Sequence, residues 1–70
     1  MIRLPQVSHE RMVRALQRTG FRVLRQGKHI SMTDGRNIII IPRQYVIKPG
    51  TLRHILDAAG ISAEELKKLL

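Results

Sequence analysis

Seventy residues carrying thirteen Lys and Arg against five Asp and Glu have a formal charge of +8. A chain of this length buries only about 60% of its unfolded surface, so one small core is the limit. The chain has no Cys, and its longest uninterrupted apolar run is Ile38 to Ile41. These features exclude a disulfide framework, a thiolate metal site, a signal peptide and a membrane span, and no basic amphipathic helix with bulky anchors is present to bind a membrane surface. A single cytoplasmic domain over residues 1–70, starting where the mature protein starts, is expected. Its partner is anionic, and nine of the thirteen cations are Arg. Arg offers phosphate a planar fork and stacks on bases, which favours nucleic acid.

Ser8 is placed to cap a first helix, with Val7 before it packing on Met12 as a hydrophobic staple. Met12, Val13 and Leu16 form the apolar stripe of that helix, His9, Arg11, Arg14 and Arg18 lie largely outside it, and Gly20 ends it. Phe21, Val23 and Leu24 open an extended run that breaks at Gly27. Ile30 and Met32 then alternate with His29, Ser31 and Thr33, predicting a half-buried strand whose second set faces solvent. Asp34-Gly35 is the signal of a two-residue type I′ hairpin, so the following run, Asn37 to Ile41, should pair with that strand. Pro42 ends the third strand, and a loop carrying Arg43, Tyr45 and Lys48 leads to Pro49-Gly50.

A second helix is expected from Thr51 to Ala59, with Leu52, Ile55 and Leu56 on its buried face and Gly60 at its end. Ser62 and Glu65 form a capping box for a short last helix. The predicted architecture is α+β, ordered α-β-β-β-α with a short C-terminal helix. It packs its helices on one face of a three-stranded antiparallel sheet and leaves the other face open.

Among the chemistry-bearing residues, His is the only type that exchanges protons near neutral pH without perturbation. His9 and His54 fall on helices and receive no catalytic role. His29 should project from the open face, where it can accept the proton of a ribose 2′-hydroxyl. Arg25, Lys28 and Arg36 are expected nearby, disfavouring the imidazolium and stabilising charge on phosphate. Arg43 and Lys48 are further RNA-binding candidates, and Gly27, Asp34 and Gly35 are expected turn residues. Two Asp and three Glu without a cluster hold no magnesium, so neither metal nor cofactor is expected. The Ala58 to Ser62 turn imitates a DNA-binding helix-turn-helix, but Glu64 and Glu65 at the start of its second helix would repel DNA phosphates.

Taken together, several segments resemble the HicA toxins, messenger-RNA interferases of toxin–antitoxin systems with a fold similar to double-stranded-RNA-binding domains. They are Leu4-Pro5-Gln6-Val7-Ser8, Gly20-Phe21, Gly27-Lys28-His29, Asp34-Gly35-Arg36, Lys48-Pro49-Gly50-Thr51-Leu52-Arg53, Ile55-Leu56 and Ala59-Gly60-Ile61-Ser62. In that family the catalytic His follows a Gly-Ser pair on the second strand, which carries the role onto His29, with Lys28 standing where Ser is usual. The segment before Asp34-Gly35 is also shorter than the family's common His-Pro-Asp-Gly version. The resemblance implies a metal-independent endoribonuclease acting on messenger RNA, and a HicB-like antitoxin that silences it. DNA would be reached only through the antitoxin complex. The alternatives are a noncatalytic RNA-binding module on the same fold and a DNA-binding regulator.

Overall fold

The computed structural model describes residues 4–70. Its elements run α1 (His9–Gln17), β1 (Arg22–Gln26), β2 (His29–Thr33), β3 (Ile38–Pro42), α2 (Pro49–Ala59) and α3 (Ala63–Leu69). The strands form one antiparallel sheet in the order β1-β2-β3, so the expected α+β arrangement is present. Among the described residues no helix is long and apolar enough to cross a membrane.

The helix ends obey local chemistry. Ser8 accepts a hydrogen bond from the Arg11 N–H, and Val7 and Met12, the two staple residues, are both buried. The Ser62–Glu65 capping box of α3 has both of its reciprocal bonds. Gly60 ends α2 in the left-handed region at φ 72°, a backbone conformation that is strained for any residue with a Cβ. Helix α2 begins two residues before the expected Thr51, because Pro49 occupies its first turn. A missing N–H costs nothing there, and the fixed φ of Pro is already helical.

The hairpin between β2 and β3 departs from expectation. Thr33 pairs with Ile38, so four residues, Asp34 to Asn37, make the turn rather than the two of a type I′ hairpin. Of these four only Gly35 has positive φ, whereas a type I′ turn needs it at both central positions. Asp34 instead accepts backbone hydrogen bonds from Arg36 and Asn37, each at 2.8 Å, the Asx-turn use of a short acidic side chain. Thr33 is buried rather than solvent-facing: its hydroxyl donates to the Asn37 carbonyl at 2.7 Å and accepts from the Gly35 N–H at 3.0 Å.

These bonds to Asn37 and Arg36 hold the Asp34 carboxyl below the ordinary aspartate range. A group whose pKa falls on folding stabilises the fold above its unfolded pKa, about 3.9, and loses that contribution as pH falls through its folded value. Asp34→Asn keeps an acceptor oxygen but does not titrate. The stability gap between wild type and this variant should therefore be constant near neutrality and shrink in the acid range. Urea titrations at several pH values check this, and a gap independent of pH would show that the carboxylate charge contributes nothing.

The core lies between the helices and one sheet face. Ile30 and Met32 of β2 oppose Ile41 and Ile39 of β3, and all four are buried with Leu16, Leu52 and Leu56 from the helices. Leu66 of α3 is completely buried, and Leu69 and Leu70 pack against the same core. The last helix is therefore a lid on that core, as its leucines suggest. The opposite sheet face is uncovered, leaving Ile38 and Ile40 exposed.

Candidate nucleic-acid interface and acid–base site

Residues paired across an antiparallel sheet share a face. His29 pairs with Pro42, Ser31 with Ile40 and Thr33 with Ile38, and the alternate residues Ile30 and Met32 enter the core. Strand parity therefore sends the His29 side chain to the open face, where it is exposed. Its ring makes no hydrogen bond to protein among the described residues, so both nitrogens are open to a ligand.

Parity alone would place Arg25 on the wrong side. Val23 opposes Met32 on the core face, and counting two residues onward points Arg25 inward as well. A β-bulge intervenes: Val23 pairs with Met32 and Arg25 with Ser31, so Leu24 is the extra residue. Bulges re-aim the side chains that follow them. Here the bulge brings Arg25 onto the His29 face, diagonal to His29 across the strand pair, about 5.5 Å on the direct pair and 7–8 Å on the diagonal being usual spacings. Arg22, which pairs with Thr33, joins the same face. It was not among the expected site residues because its pairing depends on the register of the β1–β2 hairpin.

Lys28 precedes His29 in the exposed β1–β2 turn. Gly27 lies in the same turn, at negative φ and with open space where a Cβ would project. Arg43 reaches this turn from the end of β3: its Nε donates to the Gly27 carbonyl at 2.8 Å. The turn at the His29 end of the sheet thus gathers Arg25, Lys28 and Arg43.

The remaining two candidates lie elsewhere. Arg36 sits in the β2–β3 turn, a full strand away from His29, roughly 13 Å at 3.3 Å per residue. The expectation that it flanks His29 is therefore corrected: antiparallel topology sends consecutive hairpins to opposite ends of the sheet. Lys48 is the N-cap residue of α2 and belongs to the helix layer.

Of the other imidazoles, His54 is exposed on α2, as expected of a solvated helical residue. His9 is more constrained. Its side chain is 14% exposed, and its Nδ1 lies 3.0 Å from the Gln44 carbonyl, which also accepts the His9 backbone N–H at 2.9 Å. The sequence signal was weak, since the bond links residues 35 positions apart. His9 lines a groove of about 340 Å³ between α1 and β1 with Glu10, Arg14, Gln17, Gln26 and Arg43. Among the described residues no three His, Asp or Glu side chains gather closely enough to hold a metal ion.

The protein thus presents an open basic sheet face with one exposed imidazole on an α-β-β-β-α-α chain order. The family model described as the HicA toxin of bacterial toxin–antitoxin matches residues 10–61, about three quarters of the chain. The chain belongs to the HicA toxin family. Compared with curated proteins, it finds no match. The HicA match spans all three strands and α2, and therefore includes His29, Arg25 and the Arg43 tether. It stops before α3, so the leucine lid lies outside the shared segment.

Proposed function

We propose that this HicA-family toxin is a metal-independent endoribonuclease acting on messenger RNA, with His29 as its proton-transfer residue. The single observation that carries this reading is the exposed imidazole at the end of an open strand, diagonal to Arg25 and adjacent to Lys28. His29 takes the proton from a ribose 2′-hydroxyl. The 2′-oxygen attacks the adjacent phosphorus, the bond to the 5′-oxygen breaks, and the departing 5′-oxygen takes up a proton from water. A 2′,3′-cyclic phosphate, or its hydrolysis product, and a 5′-hydroxyl end result. Arg25 and Lys28 neutralise charge that develops on the phosphate oxygens, a role in which fixed cations contribute most. DNA lacks the attacking hydroxyl and is not a substrate.

The same face is the proposed seat of a HicB-like antitoxin. Ile38 is 66% exposed, Ile40 51% and Leu24 52%, and they lie beside the basic residues rather than apart from them. An acidic partner with a small apolar patch would cover both and block His29.

The reaction is tested with the purified chain, a single-stranded RNA and excess chelator. Cleavage should persist and leave cyclic or monophosphorylated 3′ ends, and one 2′-deoxy substitution at the cut position should abolish scission there. Continued cutting at the deoxy position would overturn the 2′-hydroxyl mechanism. RNA that is bound tightly but stays intact would make the chain a noncatalytic binding module.

A further inference from the structure

The groove between α1 and β1 is separate from the His29 face, since it lies on the helix side of the sheet. His9, Arg14 and Gln17 line it from α1, Gln26 lines it from β1, and Arg43 stands at the end nearest the β1–β2 turn. Its polar groups are held or unspent in a specific way. The Gln44 carbonyl accepts, so Nδ1 of His9 carries a hydrogen, and in the neutral imidazole Nε2 is then an acceptor. Nε2 lies on the side of Glu10, at 4.0 Å from its carboxylate, and both residues line the groove. Arg43 commits only Nε, to the Gly27 carbonyl, leaving its four terminal N–H groups free. The Arg14 side chain is exposed and has no hydrogen-bond or carboxylate partner among the described residues.

We propose that this groove is a nucleotide subsite for the same RNA strand, filled by the nucleotide that flanks the one cut at His29. Arg14 and Arg43 hold its phosphate, the ribose 2′-hydroxyl donates to His9 Nε2, and the amides of Gln17 and Gln26 face its base. A volume of about 340 Å³ is at the lower end of small-ligand sites, which run from roughly 300 to 1,000 Å³. A pair of unspent cations alone would suit any anion. An oriented imidazole acceptor and two amides add the donors and acceptors of a ribose and a base, which is how single-stranded RNA is told from DNA. Glu10 at the rim accepts from hydroxyl or amino groups and opposes simple anions. The Arg43 bond to Gly27 connects the groove to the turn bearing Lys28 and His29, so a strand crossing that turn spans both faces. Arg14, Gln17, Gln26 and Arg43 fall within the segment that matches the HicA family, and His9 lies one residue before it.

This inference rests on the RNA reading, and its test separates the two. Binding of a single-stranded RNA and of the DNA of the same sequence is measured in a His29→Ala background over a range of salt. Arg14→Gln should weaken RNA binding about tenfold and reduce the slope of log affinity on log salt by about 0.7, the value for one phosphate contact on a single strand. His9→Asn retains a donor in the position of Nδ1 and deletes the Nε2 acceptor. It should bring RNA affinity close to that for DNA and leave DNA binding unchanged. Circular dichroism confirms that both variants are folded. RNA binding by the parent with unaltered affinity and salt slope in Arg14→Gln would overturn the groove and leave the His29 reading intact. Absence of RNA binding by the parent would overturn both.

Discussion

Replacing His29 by alanine should lower RNA cleavage by roughly 10²–10⁴-fold, the range contributed by one positioned general acid–base group. The same change should leave the fold and RNA affinity nearly intact. His29 is exposed and its ring contacts no protein donor or acceptor among the described residues, so its loss opens no cavity and strands no buried polar group. Surface changes of this kind stay within about 0.5 kcal/mol. Arg25, Lys28 and Arg43 remain to hold phosphate. In bacteria, induction of the wild-type chain should arrest growth with decay of messenger RNA, and induction of His29→Ala should do neither. Cleavage rates within threefold of wild type for a folded, RNA-binding His29→Ala protein would remove His29 from the chemistry. A variant that lost binding and cleavage in parallel would reassign it to contact with the RNA backbone.

The second large effect concerns stability and tests which sheet face is the core. Ile41→Ala should cost about 2–5 kcal/mol, the usual penalty for emptying a buried Ile site. A single core in a chain under about 70–80 residues supplies only about 3–5 kcal/mol of net stability, so the variant should be largely unfolded at 37 °C. Its neighbour Ile40 points the other way and is half exposed. Ile40→Ala should cost less than about 1 kcal/mol, the span of strand propensities. Urea midpoints for the two variants, side by side, provide the comparison. Equal losses would mean that the outer face is covered in the folded protein, contrary to the sheet described above.

Much of the frame was legible residue by residue. Ser8 and the Ser62–Glu65 box announce helix starts, because they satisfy N–H groups that the helix cannot. Gly60 announces a helix end, because φ 72° excludes ordinary side chains. The alternation of Ile30 and Met32 with His29 and Ser31 places His29 outside the core, because strand side chains have period two. The HicA resemblance, carried by motifs spread from Leu4 to Ser62, agrees with the family match over residues 10–61.

At the β2–β3 hairpin, expectation failed because side chains entered the backbone's hydrogen bonding. Asp34-Gly35 reads as a tight hairpin only if Asp34 adopts positive φ. Asp34 instead uses its carboxylate as the acceptor for Arg36 and Asn37, which lengthens the turn to four residues and buries Thr33. This is the known competition between local side-chain bonds and the backbone ladder. The charge of Arg36 and its position in the same hairpin suggest a place beside His29, but sequence nearness is not proximity at the far end of a strand.

The sequence by itself determined that the chain carries an excess of positive charge, which elements form, and that His29 stands on a solvent-facing strand position. These depend on composition, capping and periodicity, all local properties. Only the tertiary structure decided which cations accompany His29. The bulge at Leu24 turned Arg25 outward, the bond to Gly27 drew in Arg43, and antiparallel pairing sent Arg36 to the other end of the sheet. The setting of His9 was likewise decided by a carbonyl 35 residues away. Register and long-range hydrogen bonds are properties of paired segments, and no single segment encodes them.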